Sequence, residues 1–428
     1  MNIIEQGRQF VQSLQELAGR AVWQWRRCAH CGSTHTCKNG SYTRRPWFFE
    51  GRRDVRVQRH FCHDCRRTYS EQSALLVRGS WYAREVHRWA IDYWLHARSS
   101  LRRTAEWTRS LLGRQERWYR WRPLDRVSTG PRCYLAASTV HRWLDGAGRK
   151  AQQSIAGQLE GVPISRQLGT DGLWARLRGK AKRVVLLVVD SVSGVIWPPV
   201  VGAGEESEGA WAQLFERARD AGLHLQALRG VTSDGCQGLT AYLRQQLQWV
   251  NHQRCVWHLW RGLASRLLNA AAQAGAELVG EAAKVARQQA RRELAGLVRA
   301  VFDANSYQQA EVALTALQAH PLGEDLWHLV REQMNAALIH LLPYNRRLVR
   351  VAPEWCWRDY RMRLSRGRNH ASEERLERAS LLWAIYRNFE PAQWRSERKR
   401  HYRRPGQSPL SMAGVPPGEI SYLDALCV

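Results

Sequence analysis

The chain has 428 residues, long enough for two to four modules and at least one sizeable hydrophobic core. Its 44% hydrophobic and 24% charged residues exclude a disordered chain. Lys and Arg number 65 against 38 Asp and Glu, and the net charge of +27 selects polyanions as partners, nucleic acid ahead of an anionic membrane surface.

Residues 1–20 place Ile4, Phe10, Val11, Leu14 and Leu17 at helical spacing, which predicts one amphipathic helix. Glu5 and the missing apolar core of a leader argue against a secretory signal. The longest apolar run near the middle, residues 184–189, stops at Asp190 and is far too short to span a bilayer. Ten Cys include two C-x-x-C pairs, which in a chain without an export signal favours metal ligation over disulfides and a reducing cytoplasm.

Residues 21–80 read as a zinc ribbon. Cys28 and Cys31 form one knuckle, Cys62 and Cys65 a second, with thirty residues between them. Two thiolates three apart grip a metal from a tight turn, and two such turns complete a tetrahedron. Val55, Val57 and Phe61 alternate with Arg56, Gln58 and Arg59 as in a half-exposed strand. His30, His63 and Cys37 are read as bystanders. Arg44, Arg45, Arg52, Arg53, Arg66 and Arg67 would line a phosphate-binding surface.

Residues 81–160 turn helical. Val86, Trp89, Ala90, Tyr93 and Trp94 share a face, and Ser99-Ser100 precedes a second helix containing the small Ala105. After a basic, aromatic stretch, Ser138 or Thr139 is expected to cap a helix presenting His141 and Arg142. That is the order of a helix-turn-helix, although the spacer is longer than a standard turn. A plain helical linker is the alternative.

Beyond Pro163, residues 167–172 predict a strand carrying Asp171, 183–189 a buried strand, 190–194 a turn and 195–201 a returning strand. Residues 208–221 form an amphipathic helix with Trp211, Leu214, Phe215 and Ala218 on one side. A further apolar strand then ends in Asp234-Gly235. Two such strands side by side would bring Asp171 and Asp234 together. Phosphodiester hydrolysis or transfer needs an activated nucleophile and a neutralised leaving oxygen, which two divalent ions clamped by carboxylates supply; magnesium suits oxygen ligands. Asp-Gly is also a common turn, and the alternative is that each acid closes a strand and nothing more.

The block Asp234-Gly235-Cys236-Gln237-Gly238-Leu239, followed by Gln253-Arg254-Cys255-Val256-Trp257-His258, resembles Mutator-like and related bacterial insertion-sequence transposases. The ribbon ending in Cys65-Arg66-Arg67-Thr68-Tyr69-Ser70 and the stretch from Asn388 to Gly414 resemble them too. The resemblance implies a ribonuclease H-like core with an Asp-Asp-Glu triad that cuts DNA at element ends and joins the 3′-hydroxyls to a target. Asp171 is then the first acid and Asp234 the second. Cys255 and His258 match the family's Cys-x-x-His pair, read here as bracing the active-site strands.

The third acid follows an Arg- and Ser-rich lead-in, residues 365–372. Glu374 is favoured, Glu373 is the near alternative and Glu377 is third. Glu374 and Glu377 lie one turn apart on a face, with Glu373 about 100° away. The roughly 140 residues between Asp234 and Glu374 include a nearly continuous helical stretch, 263–304, 308–320 and 326–342, matching an all-helical insertion of the resembled family. Trp327 can stack on a flipped base or simply pack in a core. Residues 393–404, with Lys399 and Arg400, form a basic tail suited to phosphate contact.

The expected architecture is a multi-domain α+β and α/β chain. It comprises an N-terminal helix (1–20), zinc ribbon (21–80), helix-turn-helix domain (81–160), first part of a ribonuclease H-like mixed sheet flanked by helices (161–262), all-helical insertion (263–352), and last part of the core with a basic tail (353–428). The expected function is a cytoplasmic, nucleoid-associated DNA transposase of a bacterial host. It would use Mg2+ or Mn2+ at Asp171, Asp234 and Glu374 and structural Zn2+ at Cys28, Cys31, Cys62 and Cys65. It would act on double-stranded element ends and target DNA as a homodimer or larger oligomer, with no membrane partner. A catalytically inactive, transposase-derived DNA-binding regulator is the alternative.

Overall fold

A computed structural model describes residues 27–71, 73–112, 135–179, 181–202, 204–345, 349–350, 354–366, 370–391 and 406–427. The expected N-terminal helix and the basic tail with Lys399 and Arg400 lie outside the described residues. The chain divides into two compact units: one holds the described parts of Met1–Val162, Leu177–Lys180 and Tyr360–Val428, the other Pro163–Arg176 and Ala181–Asp359.

The first unit begins with β1 (Thr36–Arg44), a small hairpin of β2 (Trp47–Phe48) and β3 (Gly51–Arg52), then β4 (Val55–Cys62) and β5 (Thr68–Ser70). β4 lies between β1 and β5 in an antiparallel sheet, with Thr36 opposite Cys62 and Phe61 opposite Thr68. The alternation expected from the sequence holds in part: Val57 is buried, while Val55 and Phe61 are half-buried. Helices α1 (Arg84–Ala97), α2 (Leu101–Leu112) and α3 (Ala137–Leu159) follow. Arg98, in the left-handed conformation, ends α1, and the Ser100 hydroxyl accepts from the Arg103 N–H to start α2. α3 starts differently from the expectation: its cap is Ala136, without a side-chain hydrogen bond, and Ser138 and Thr139 lie inside the first turn.

The second unit is built on a five-stranded sheet of β6 (Gln167–Arg176), β7 (Lys182–Asp190), β8 (Val200–Val201), β9 (Gly230–Ser233) and β10 (Asn251–Arg254), in the order β10-β9-β6-β7-β8. β6, β7 and β8 are antiparallel; β9 runs parallel to β6, and β10 parallel to β9. The run Val184 to Val189 is fully buried, as a continuous apolar strand requires when both faces of a sheet are covered. The returning strand is shorter than its apolar residues suggest. Ile196 makes one bridge to Val189, Pro198 and Pro199 follow, and pairing resumes at Val200 because proline has no N–H for the ladder.

Helix α4 (Glu208–Asp220) crosses from β8 to β9, burying Trp211, Leu214, Phe215 and Ala218, and α5 (Gln237–Gln246) crosses from β9 to β10. Four helices come next: α6 (Val256–Gln273), α7 (Gly280–Phe302), α8 (Tyr307–Ala319) and α9 (Glu324–Ala337). They share a core that includes Leu263, Leu294, Val298, Phe302, Leu314, Val330 and Met334. The stretch expected as continuous helix over 263–304 is two helices. The chain turns between Gln273 and Gly280, and a Cβ at Gly275 would come within 2.8 Å of the Ala283 carbonyl oxygen, so only glycine permits the close packing there.

α10 (Glu354–Arg366) leads back to the first unit, where α11 (Glu373–Phe389) is capped by Ser372 and packs along α3. Gly148 on α3 permits that contact, since a Cβ there would sit 2.8 Å from both Cβ and the carbonyl oxygen of Arg378. The end of the chain docks on the same unit: Arg88 pairs with Asp424 at 2.6 Å and the Tyr422 hydroxyl donates to Asp92 at 3.0 Å.

Candidate active site and metal centre

In the first unit the four ribbon cysteines converge. The Cys28–Cys65 and Cys31–Cys62 sulfur pairs are 3.5 and 3.6 Å apart, and all four lie within 4.8 Å of one another. Zinc–sulfur bonds of about 2.3 Å imply a tetrahedral edge of about 3.8 Å, so the set can hold Zn2+. Burial and the neighbouring sulfurs push the Cys65 thiol up to about 12. Cys28 falls to about 6 despite burial, because backbone N–H groups of His30 and Cys31 and the Cys65 and Cys31 side chains favour its thiolate. A divalent cation would remove this conflict between crowded thiolates. His30 and His63 stay outside the set: His63 stacks on His35 at 4.7 Å, and the His30 ring meets the Thr68 carbonyl.

The second unit carries Asp171 and Asp234. The β6–β9 register pairs Gln167 with Gly230, Leu168 with Val231 and Gly169 with Thr232, and two residues beyond the last pair on each strand are Asp171 and Asp234. Asp234 sits in a tight turn, with Gly235 at φ +76° and the Asp234 Oδ1 accepting from the Cys236 N–H at 3.0 Å. Asp171 is 4% exposed; its Oδ1 accepts from the Gly172 N–H at 2.9 Å, and its Oδ2 lies 3.8 Å from the His258 Nε2. His258 reaches it from the first turn of α6, which Cys255 starts by donating its N–H to the Ser233 carbonyl at 2.7 Å. Cys255 thus ties α6 to the end of β9, and His258 faces Asp171.

One carboxylate was missed in the sequence. Glu206 lies in the connection between β8 and α4, and its carboxylate, the Asp234 carboxylate and the Cys236 sulfur are all within 4.8 Å of one another, a set that can hold a cation. Asp171 is not part of that set. Burial, and then Asp234, push the Glu206 carboxyl above its ordinary range; burial also raises the Cys236 thiol to about 12, with Asp234 and Glu206 adding to the rise. Two glycines make room for Glu206: a Cβ on Gly172 would lie 2.5 Å from its carboxyl carbon, and one on Gly238 would lie 2.0 Å from its backbone oxygen. No local pattern marks it, because Glu205-Glu206-Ser207-Glu208 reads as an ordinary acidic helix start.

Around the turn, the Ser233 hydroxyl bonds the His252 Nε2 at 2.7 Å, and burial pulls His252 down to about 4. The Arg254 side chain lies flat on Gly235, its Nη1 occupying the place of a Cβ. Residues 199–350 match the family described as "Transposase, Mutator family". Over that stretch the chain is similar to transposases of the Mutator family. The matched stretch runs from β8 through the four-helix cluster; it includes Glu206, Asp234, Cys236, Cys255 and His258, while Asp171 and Glu374 lie outside it. No curated protein matches the chain.

Glu374 belongs to the first unit, on the first turn of α11. It is 64% exposed and bonded to Arg378, which also bonds Asp145 at 3.2 Å. The arginines expected to meet DNA are placed unevenly. Arg44 donates to the Val77 and Ser80 carbonyls, Arg45 pairs with Asp54 at 3.3 Å, and Arg66 and Arg67 are exposed on the second knuckle. His141 is half-buried and its pKa is lowered by burial and Arg375; Arg142 is exposed and bonded to the Thr139 hydroxyl. Among the described residues no helix is long and apolar enough to cross a membrane.

Proposed function

We propose that this chain is a DNA transposase. It binds the ends of its mobile element, cleaves phosphodiester bonds and joins the 3′ ends to target DNA by two-metal Asp-Asp-Glu catalysis. The observation that carries the reading is Asp234 just beyond β9, inside the stretch that matches the Mutator family, with β9 paired to the strand that carries Asp171. The sheet supports it: three antiparallel strands, then two parallel ones reached by helical crossovers on the far side of the first strand, is the arrangement of a ribonuclease H-like core.

Asp171, Asp234 and Glu374 are the proposed acids, with Mg2+ or Mn2+ as the ion. Divalent ions held by carboxylates supply an activated nucleophile and a neutralised leaving oxygen. His258 orients the Asp171 carboxylate, and the Cys236 N–H orients that of Asp234. The zinc ribbon, the helices read as a helix-turn-helix with His141 and Arg142, Arg44, Arg45, Arg66 and Arg67, and the tail with Lys399 and Arg400 hold double-stranded DNA, to which the charge of +27 contributes. Pairing two element ends calls for at least a homodimer, and the place of action is a bacterial cytoplasm, at the nucleoid.

The test is cleavage and joining of labelled DNA that carries the flanking element ends, in Mg2+ and in chelator. Nicking and strand transfer that need the metal and vanish in Asp234→Ala are expected. Tight binding without cleavage by the wild-type protein would replace the enzyme with a DNA-binding regulator.

A further inference from the structure

The three acids of the proposed triad leave Glu206 without a role, yet it is the carboxylate that stands against Asp234. Its position is built. Gly172 follows Asp171 directly and has no side chain where the Glu206 carboxyl group lies; Gly238, on the first turn of α5, has none where the Glu206 main chain passes. Its Oε2 is buried and has no hydrogen-bond partner among the described residues, while the Cys236 thiol and the indole of Trp174, on the same strand as Asp171, reach the carboxyl group. A buried carboxylate oxygen without a donor is costly, and holding it beside a second carboxylate is costlier still unless a cation takes both.

We propose that Glu206 is a ligand of the same divalent ion as Asp234, so that the catalytic centre holds its metal through four carboxylates rather than three. This rests on the transposase reading, which makes Asp234 a metal ligand. Glu206 and Asp234 then bind one ion between the β8–α4 connection and the end of β9. The arrangement assembles within the second unit and does not wait for Glu374. It follows that the DNA-free protein takes up one ion through Glu206 and Asp234.

The experiment is Mn2+ binding to the zinc-loaded, full-length protein without DNA, followed by the electron paramagnetic resonance of free Mn2+. Glu206→Gln keeps the shape that fills the space over Gly172 and removes the charge; circular dichroism checks the fold. At least a tenfold loss of Mn2+ affinity is expected in Glu206→Gln and in Asp234→Asn, and none in Glu205→Gln, an exposed neighbour. Terbium provides a second readout in the native fold: tryptophan-sensitised emission should fall at least tenfold in Glu206→Gln and in Asp234→Asn, and should be unchanged in Glu205→Gln. Loss of binding in Asp234→Asn with wild-type affinity in Glu206→Gln would overturn the role of Glu206 and leave the transposase reading intact. Wild-type affinity in both variants would overturn the two together.

Discussion

Of the three glycines in α3, Gly157 and Gly148 should respond differently to replacement by alanine. At Gly157 nothing lies within 4 Å of an added Cβ, so Gly157→Ala should give the ordinary gain for a helix interior, about 1 kcal/mol. Gly148→Ala has the same helical gain, but its Cβ would lie 2.8 Å from the Arg378 Cβ and carbonyl oxygen and 3.0 Å from its carbonyl carbon. Two of those atoms are main chain, so α11 itself has to move by about half an ångström to restore contact distance. Overpacking of this kind costs about 1–3 kcal/mol, which cancels or exceeds the helical gain and leaves a net change between about zero and 2 kcal/mol of destabilisation. The shift also strains the Asp145–Arg378–Glu374 chain of ion pairs. Thermal unfolding followed by circular dichroism and tryptophan fluorescence reads the effect: the midpoint should rise by about 2–4 °C for Gly157→Ala and stay or fall for Gly148→Ala. Equal stabilisation by the two changes would refute the close α3–α11 contact.

Removing zinc should unfold the ribbon, because its sheet buries little besides Trp47, Phe48, Val57, Cys28 and Cys62; one zinc per chain by atomic absorption, lost in Cys62→Ser together with ribbon order, is the expected outcome. Stability should fall with acid. Burial lowers His87 to about 3 and His252, His340 and His370 to about 4, so the folded state favours the neutral rings while the unfolded chain protonates them below about 6.5. The contribution is complete above pH 6.5 and is lost as pH drops towards 4, at up to about 1.4 kcal/mol per pH unit for each histidine, measurable as urea midpoints across that range. Asp190 accepts from the N–H groups of Ser165, Val192 and Ser193 and from the Ser193 hydroxyl, so Asp190→Ala should cost about 2–4 kcal/mol of stability without weakening Mn2+ binding.

What the sequence disclosed depended on the range of the interactions involved. The cysteine knuckles, the run from Val184 to Val189 and the buried face of α4 are local patterns, and each is found where spacing placed it. Asp171 and Asp234 required one further inference, that the two strands leading to Asp-Gly are neighbours; β6 and β9 do pair, but β6 runs on past Asp171 and Gly172 to Arg176, and Asp171 is not part of the Glu206–Asp234–Cys236 set. Glu206 was out of reach because its meaning arises only when the crossover from β8 brings it over Gly172 and against Gly238, residues 34 and 32 positions away in the chain. The return strand was overestimated because apolar residues 195–201 outweighed the two prolines within them. The start of α3, capped at Ala136, shows the other limit: a serine and a threonine near a helix start invite a cap, but the chain enters two or three residues earlier.

The central claim is that Asp171 and Asp234 act as one metal-holding pair in DNA strand transfer. The most direct measurement is the strand-transfer rate of Asp171→Ala and Asp234→Ala beside the wild-type protein, at saturating Mg2+ and with element-end DNA bound to the same extent. Both variants should lose about a hundredfold or more, as removing a metal-anchoring carboxylate withdraws several kcal/mol from the transition state. A wild-type rate in either variant would contradict the claim.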